Sequence, residues 1–383
     1  MHIVREPDDL AAIADQAASA ALAARGATAE TIAALPDWLE QVERISLSAI
    51  AALLASSGAL PAEGPPRRAE AIAAGLGAAS RHGWLVHRWL AALIRRGWLS
   101  RSAEGGLGWI APPAHFGIDP AGLDPAYHAL GFPPTMATAH RAALECLGAL
   151  VRDDITLQHL LFRDGDVLAA LAAYQDNLFT AALNAAAAAL AARLPRSRLL
   201  ELGGGAGLTT AAALRALAGS AASYRFTDVS RLFTVAAERR FAGTPGLICT
   251  PLNIDEDFTA QGVAPDSVDI VLAGNVLHNA RDLGATLGWI HRSLTPDGWL
   301  ILTDSIRETD AILTSMQFLL SPPQGGPPPG GRDRRPCGQA FLDATGWADQ
   351  LAAADFTLCL ARPDPASPLA TAGQCLLLAQ SSR

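Results

Sequence analysis

The chain has 383 residues, half of them hydrophobic, and a formal net charge of −8 at pH 7. This length exceeds what one ordinary hydrophobic core serves, so we expect two or three domains, or one large α/β domain with an appendage. The negative charge argues against a nucleic-acid backbone as the main partner. Lysine is absent from the sequence, which excludes a lysine base or Schiff base.

Cysteine usage and hydropathy indicate the kind of protein further. The five cysteines are widely spaced and form neither a CxxC pair nor a Cys/His cluster, so we expect no disulfide framework and no metal site. The first ten residues lack the apolar core of a signal peptide, and the alanine-rich stretch 178–194 carries Asn184 and mostly small side chains. We therefore expect a cytoplasmic protein without a membrane partner.

Residues 1–112 have the pattern of a helical domain that ends in a hairpin. The predicted helices are Asp8–Arg25, Leu39–Ser57, Arg67–Gly77 and His82–Arg96. Two short apolar runs around the Glu104–Gly106 turn predict a β-hairpin, and helices followed by such a wing are typical of a winged-helix domain. Ten arginines against eleven acidic residues in 1–110 favour a dimerisation or substrate-lid domain over a DNA-binding one.

The remainder of the chain changes from helices to alternating strands and helices. Residues 113–195 are predicted to form a helical connector that covers the active site, and residues 196–383 an α/β domain. The strand candidates are Arg198–Leu202, Tyr224–Thr227, Leu247–Leu252, Val268–Ala273, Trp299–Thr303, Phe356–Leu360 and Gln374–Ala379. Helical stretches between the first five predict a parallel doubly wound sheet, which the last two would close as an antiparallel pair.

A glycine-rich turn follows the first strand of this domain. Gly203, Gly205 and Gly207 let the backbone approach a ligand closely, and Glu201 stands at the strand end before them. Asp228 ends the next strand, where a carboxylate suits ribose hydroxyls. An acid before the loop favours a ligand with an ammonium group over one with a pyrophosphate. A turn without ligand and a nicotinamide site remain as alternatives.

Four blocks in order make the chain resemble the class I S-adenosylmethionine-dependent methyltransferases. They are Leu200–Gly207, Tyr224–Ser230 with Phe233, Asn275–Asp282 and Leu294–Leu300. The likeness is greatest to stand-alone relatives of the methyltransferase domains of polyketide and nonribosomal peptide synthases. It implies a Rossmann-like seven-stranded methyltransferase sheet preceded by a winged-helix dimerisation domain like that of small-molecule O-methyltransferases. The implied cofactor is S-adenosylmethionine, with S-adenosylhomocysteine as product, and the implied assembly is a homodimer.

The resemblance also assigns residues to the methyl donor. Glu201 and the glycines would meet its methionine part, Asp228 its ribose, and Asn253 and Ile254 its adenine. The implied donor-binding residues are Glu201, Gly203, Gly205, Asp228, Val229, Asn253, Ile254 and Asn275.

Two residues after the fourth and fifth strands are the candidates for acid–base chemistry. In the families that the chain resembles, the histidine that matches His278 is the general base that deprotonates the acceptor. Asp304 stands where related carbon-methylating domains carry a glutamate. A carboxylate bonded to one nitrogen of His278 would fix the tautomer and raise the basicity of the other nitrogen.

The acceptor is expected to be a small organic molecule, either free or tethered to a carrier protein. Its candidate wall residues are Phe162, Tyr174, Asn177, Met316 and Phe318. The sequence leaves open whether an O, N, C or S atom is methylated. A poorly acidic hydroxyl or carbon acid needs a base, whereas a thioether or free amine acceptor needs none. Two other functions also stay open: a relative that binds the sulfonium but catalyses a cyclisation or rearrangement, and a winged-helix regulator.

Overall fold

The computed structural model describes residues 7–161, 166–194, 198–218, 223–323 and 340–383. Its contacts divide the chain into two compact units. The sheet unit comprises Met1–Ala34, Tyr174–Arg307 and Gly330–Arg383, and the helical unit comprises Leu35–Ala173 and Glu308–Pro329. This division differs from the consecutive segments 1–112, 113–195 and 196–383 expected from the sequence, because the first helix groups with the sheet.

Helices and strands of the described residues are numbered along the chain. The α-helices are α1 Pro7–Ala24, α2 Ala29–Ala33, α3 Leu35–Ser56, α4 Ala69–Gly75, α5 Gly83–Arg95, α6 Leu123–Ala129, α7 Pro134–Glu145, α8 Leu147–Arg152, α9 Leu157–Leu161, α10 Val167–Gln175, α11 Leu178–Arg193, α12 Leu208–Leu217, α13 Arg231–Arg240, α14 Leu283–Ser293 and α15 Ala344–Ala353. The strands are β1 Leu99–Arg101, β2 Leu107–Trp109, β3 Arg198–Leu202, β4 Ser223–Asp228, β5 Leu247–Pro251, β6 Val268–Gly274, β7 Leu294–Ser305, β8 Phe356–Arg362 and β9 Gln374–Ser381. Within these described segments, every helix is too short or too polar to span a bilayer.

Seven strands form one sheet in the order β5-β4-β3-β6-β7-β9-β8. The first five are parallel to one another, and β9 runs antiparallel to both of its neighbours. The α/β fold class and the seven-stranded sheet predicted from the sequence are confirmed.

Helices cover both faces of the sheet. Successive side chains of a strand point to opposite faces, so each strand packs against helices on both sides. Leu199 and Ile270 pack on the face covered by α1, α11 and α12. Their neighbours Leu200 and Val271 pack on the other face with residues of α14 and α15. Strands buried on both faces explain the continuous apolar runs from which they were predicted.

The carboxyl ends of the parallel strands share one edge of the sheet, which we call the carboxyl edge. Strand β8 also ends there, since it is antiparallel to β9, which is antiparallel to β7. Strand β9 therefore begins at this edge, where Gln374 pairs with Ser305. Ligands of open α/β sheets bind at this edge, so we expect a functional site there.

The helical unit has its own apolar core around the fully buried Trp89 of α5. The indole N–H of Trp89 donates to the carbonyl of Leu313 at 2.8 Å, which fixes the segment after Glu308 to this unit. The predicted hairpin is present as β1 and β2. Its identification as the wing of a dimerisation domain stays a prediction.

Arginines of α5 and its end hold several carboxylates of the helical unit. Arg96 bonds Asp310 at 2.9 Å and Glu40 at 2.7 Å, and it also contacts Glu43. Both Asp310 and Glu43 are buried, so pairing with a cation offsets the cost of their charges, and Arg95 also bonds Asp310. Arg88 bonds Glu308 at 2.6 Å in the same way.

We expect Arg96→Met to destabilise the helical unit by about 2–4 kcal/mol, because it withdraws a guanidinium from two buried carboxylates. Urea unfolding of the whole chain, followed by tryptophan fluorescence, measures this change. The exposed Arg101→Met is the matched control and should stay within about 0.5 kcal/mol of the parent. Equal urea midpoints for Arg96→Met and Arg101→Met would contradict the stabilising role of Arg96 beside the buried carboxylates.

Candidate active site

The glycine-rich turn joins β3 to α12 at the carboxyl edge. Gly203 has φ +58°, and a Cβ on it would stand 2.3 Å from the side chain of Val276, so no other residue fits there without a shift. Gly205 has φ +51°, and its N–H donates to the Asp228 carboxylate at 3.1 Å. This bond joins the turn after β3 to the end of β4.

Asp228 lies at the end of β4, next to the turn. Its other carboxylate oxygen accepts from the Ser230 N–H at 2.8 Å. Burial raises the pKa of Asp228, and the backbone N–H donors counteract that rise. The following Val229 is 68% exposed, which is unusual for a large apolar side chain and leaves an apolar surface beside the carboxylate.

Glu201 is the most deeply buried acid of the turn, with 1% of its surface exposed. One of its oxygens accepts from the hydroxyls of Thr210 and Tyr224, both at 2.8 Å. The other oxygen, Oε1, is buried and has no hydrogen-bond partner among the described residues. Burial raises the pKa of Glu201 to about 7, although both hydroxyls favour the ionised form.

The contacts of Thr210 and Tyr224 with Glu201 were not predicted from the sequence. Tyr224 pairs with Leu199 across β3 and β4, and Glu201 is two residues after Leu199. Strand alternation could therefore have placed Tyr224 on the same face as Glu201. Thr210 belongs to α12, and no sequence pattern signals its contact.

Three other predicted donor-binding residues lie on neighbouring loops. The side chain of Asn253 is bonded within its own loop, where Oδ1 accepts from the Asp255 N–H at 3.1 Å. The Ile254 carbonyl accepts from the Thr286 hydroxyl at 2.9 Å. Asn275 has a positive φ of +54° after β6, and its N–H donates to the Thr303 carbonyl at 2.7 Å.

His278 and Asp304 are brought together in direct contact. His278 lies in a short 3₁₀ turn after β6, and Asp304 lies near the end of the adjacent β7. The distance from His278 Nδ1 to Asp304 Oδ1 is 2.7 Å, and the His278 backbone N–H donates to Oδ2 at 3.1 Å. Two bonds to one residue set the direction of the carboxylate, which is 2% exposed.

An aromatic ring and a thiol complete the surroundings of this pair. The ring of Phe341 packs edge-to-face against His278, with centroids 5.2 Å apart. Cys375 pairs with Asp304 across β7 and β9, and burial, with a smaller effect of the Asp304 charge, raises the pKa of its thiol to about 12. Phe341 was missed because nothing in the sequence links it to His278.

The described residues among the predicted acceptor wall belong to different units. Phe162 lies outside the described residues. Asn177 caps α11, accepting from the Thr180 N–H at 2.9 Å, and Tyr174 is half-buried in the last turn of α10. Both belong to the sheet unit, whereas Met316 and Phe318 pack in the core of the helical unit. A role in acceptor binding stays a prediction for all five.

In the segments that the structure describes, no group of three or more His, Cys, Asp or Glu side chains could hold a metal ion.

Comparison with known proteins indicates the family of this domain. Residues 200–300 match the family model described as a methyltransferase domain. The chain is 34% identical, over an alignment of 354 positions that covers 88% of this chain, to the pyochelin synthetase PchF of Pseudomonas aeruginosa. It spans about a fifth of the length of that relative.

Solved structures agree with the fold. The CurJ carbon methyltransferase superposes with a TM-score of 0.75, covering 97% of this chain and 99% of the other at 22% identity. The CMeT domain of the citrinin polyketide synthase gives a TM-score of 0.77, covering 98% and 97% at 18% identity. The chain therefore carries a methyltransferase domain of class I, related to the methyltransferase domains of polyketide and nonribosomal peptide synthases.

Proposed function

We propose that this protein transfers a methyl group from S-adenosylmethionine to the acidic carbon of an acyl thioester, with His278 as the general base. The observation that carries the proposal is the 2.7 Å bond between His278 Nδ1 and the buried Asp304 carboxylate. A thioether or free amine acceptor needs no base, so such an arrangement favours an acceptor that must lose a proton.

The residues of the glycine turn fit the methyl donor. Glu201 Oε1, buried and without a partner among the described residues, suits the ammonium group of the methionine part. Asp228 would hold the ribose hydroxyls, and the exposed Val229 would contact the adenine ring. Gly203, Gly205, Asn253, Ile254 and Asn275 are proposed to border the same ligand. When bound, S-adenosylmethionine supplies an electrophilic methyl group on a sulfonium centre.

Asp304 determines which nitrogen of His278 acts as the base. An ionised carboxylate can only accept a hydrogen bond, so Nδ1 carries the proton and Nε2 is left with a free lone pair. When Nε2 takes a proton from the acceptor, the resulting imidazolium is stabilised by the adjacent negative charge. Phe341 would hold the plane of the ring during this step.

The strength of an imidazole base limits the acceptor. Imidazole is a weak base, so it removes a carbon-bound proton only where neighbouring carbonyls delocalise the charge. A carbon between a ketone and a thioester meets this condition. The relatives include a synthetase and two carbon methyltransferases, which supports carbon as the methylated atom. We propose that this carbon is delivered as a thioester on a carrier protein.

We expect His278→Ala to lower kcat by at least about 100-fold and Asp304→Asn by about tenfold or more, with unchanged donor affinity. Product mass spectrometry with a β-ketoacyl thioester measures turnover, and calorimetry with S-adenosylhomocysteine measures affinity. The exposed His128→Ala is the matched control. Full activity of His278→Ala would contradict the base assignment, and a product without an added methyl group would contradict methyl transfer.

The raised pKa of Glu201, about 7, predicts a pH dependence of donor binding. An ammonium group pairs with the ionised form, so affinity for S-adenosylmethionine should rise as the pH increases from 6 to 8. Glu201→Gln keeps an oxygen for Thr210 and Tyr224 but cannot ionise, so its affinity should be lower and nearly independent of pH. Calorimetry at several pH values measures both, and a parallel pH profile in the variant would contradict the assignment.

Glu201 also affects the free energy of unfolding of the protein without ligand. This stability is expected to fall as the pH rises, whereas donor affinity is expected to increase. Because the folded-state pKa lies above the ordinary value of 4.5, the folded protein binds the proton more tightly than the unfolded chain. Stability from Glu201 is present below about pH 4.5 and is lost as the pH rises towards 7. Relative to the parent, Glu201→Gln should therefore gain on the order of 2 kcal/mol between pH 5 and pH 8 in urea unfolding.

A further inference from the structure

The Glu201 carboxylate is bonded on one side only, by two hydroxyl groups. Tyr224 of β4 and Thr210 of α12 both donate to Oε2, each at 2.8 Å. All three side chains are buried, with at most 1% of each residue exposed. The second oxygen, Oε1, is also buried and has no hydrogen-bond partner in the part of the chain that the structure describes. The hydrogen bonding of this carboxylate is therefore asymmetric.

Three elements of the fold produce this asymmetry. Leu199 pairs with Tyr224 across β3 and β4, so side-chain alternation puts Tyr224 and Glu201 on the same face of the sheet. Helix α12 packs on that face, and Thr210 lies in its first turn, directly after the glycine turn. One hydroxyl from a strand and one from a helix thus approach the same oxygen, which fixes the plane of the carboxylate.

The unbonded oxygen indicates the kind of group that completes the arrangement. A buried carboxylate oxygen without a partner is costly, so a ligand that donates to it gains affinity. The ammonium group of the methyl donor is such a partner. The two hydroxyls on Oε2 favour the ionised carboxylate, which is the form that pairs with a cation.

We propose that Tyr224 and Thr210 are positioning residues for the methyl donor, because their hydroxyls orient the Glu201 carboxylate so that Oε1 binds the ammonium group. Both act through Glu201 without touching the donor. The inference rests on the proposed function, since it assumes that Glu201 binds this ammonium group. Its added content is that the hydroxyls, and not Glu201 alone, determine the pH range in which the donor binds.

Ionisable groups on the neighbouring strands also act on Glu201. The charge of Asp228 raises the pKa of Glu201, although burial has the larger effect. Burial raises the pKa of the Cys249 thiol on β5 to about 11. Asp269 of β6 is paired with Arg198 at 2.8 Å, near the start of β3.

The helices near this face add charges only at their exposed positions. The charged residues of α11, α12 and α13 are Arg193, Arg215, Arg231, Glu238, Arg239 and Arg240. Burial and the charge of Glu201 raise the pKa of Tyr224 well above its usual value, so its hydroxyl remains a donor. All ionisable groups other than Tyr224 are the same in the parent and in Tyr224→Phe, so their titration cancels in the ratio of the two affinities.

The test compares the affinities of the parent and Tyr224→Phe for S-adenosylhomocysteine, measured by calorimetry between pH 6 and pH 9. One hydrogen bond to a charged group changes its ionisation equilibrium by about tenfold, so Glu201 should ionise at higher pH in the variant. The parent should therefore bind about tenfold more tightly at pH 6 but less than about twofold more tightly at pH 9. Thr210→Val, which has nearly the same shape, should show the same trend.

Two controls separate a positioning role from a structural one. Tyr127→Phe removes another buried hydroxyl, which is bonded to His140 at 2.7 Å in the helical unit, and should leave the affinity unchanged at every pH. The second control is a ligand, 5′-methylthioadenosine, which has the nucleoside but no ammonium group. Its affinities for the parent and for Tyr224→Phe should agree within about twofold.

A parent-to-variant ratio that is equal at every pH, or an equal loss of affinity for 5′-methylthioadenosine, would overturn the positioning role. If Tyr224→Phe does not fold, the ratio for Thr210→Val decides by the same criterion. Glu201→Gln should show the opposite trend, with the largest loss at high pH. If it instead binds S-adenosylhomocysteine as tightly as the parent at every pH, the proposed donor assignment fails, and the inference with it.

Discussion

The function that we propose depends on one hydrogen bond, between His278 Nδ1 and the Asp304 carboxylate. Neither residue alone would be an effective base at a defined position. Their contact exists because β6 and β7 are adjacent and parallel, so that both strands end at the same edge. The second bond, from the His278 backbone N–H, directs the carboxylate and leaves the ring nitrogen opposite Nδ1 for the acceptor.

On the donor side of the site, the buried Glu201 carboxylate reduces stability. Glu201 is buried, with one oxygen bonded by Thr210 and Tyr224 and the other without a partner among the described residues. Such a group costs stability when it is ionised. We interpret this cost as part of the function. A cationic ligand that supplies the missing partner would be bound more tightly than at a carboxylate whose two oxygens were already bonded.

Most of the fold could be predicted from the sequence, because buried parallel strands leave continuous apolar runs such as Val268–Gly274. The beginning of β7 was missed, since Pro296, Asp297 and Gly298 interrupt its apolar pattern. Contacts between distant segments, such as α1 with α11 or Phe341 with His278, leave no local signal. The sequence could align Asp304 with a longer glutamate, but only the structure shows that the shorter side chain reaches His278 directly.

Proton removal from the acceptor carbon is the central claim, and hydrogen exchange measures it without methyl transfer. The protein with S-adenosylhomocysteine is incubated with a β-ketoacyl thioester in deuterated water, and deuterium at the carbon between the carbonyls is followed by mass spectrometry. We expect exchange well above the uncatalysed rate for the parent protein and none above it for His278→Ala. Equal exchange by the two proteins would contradict the account.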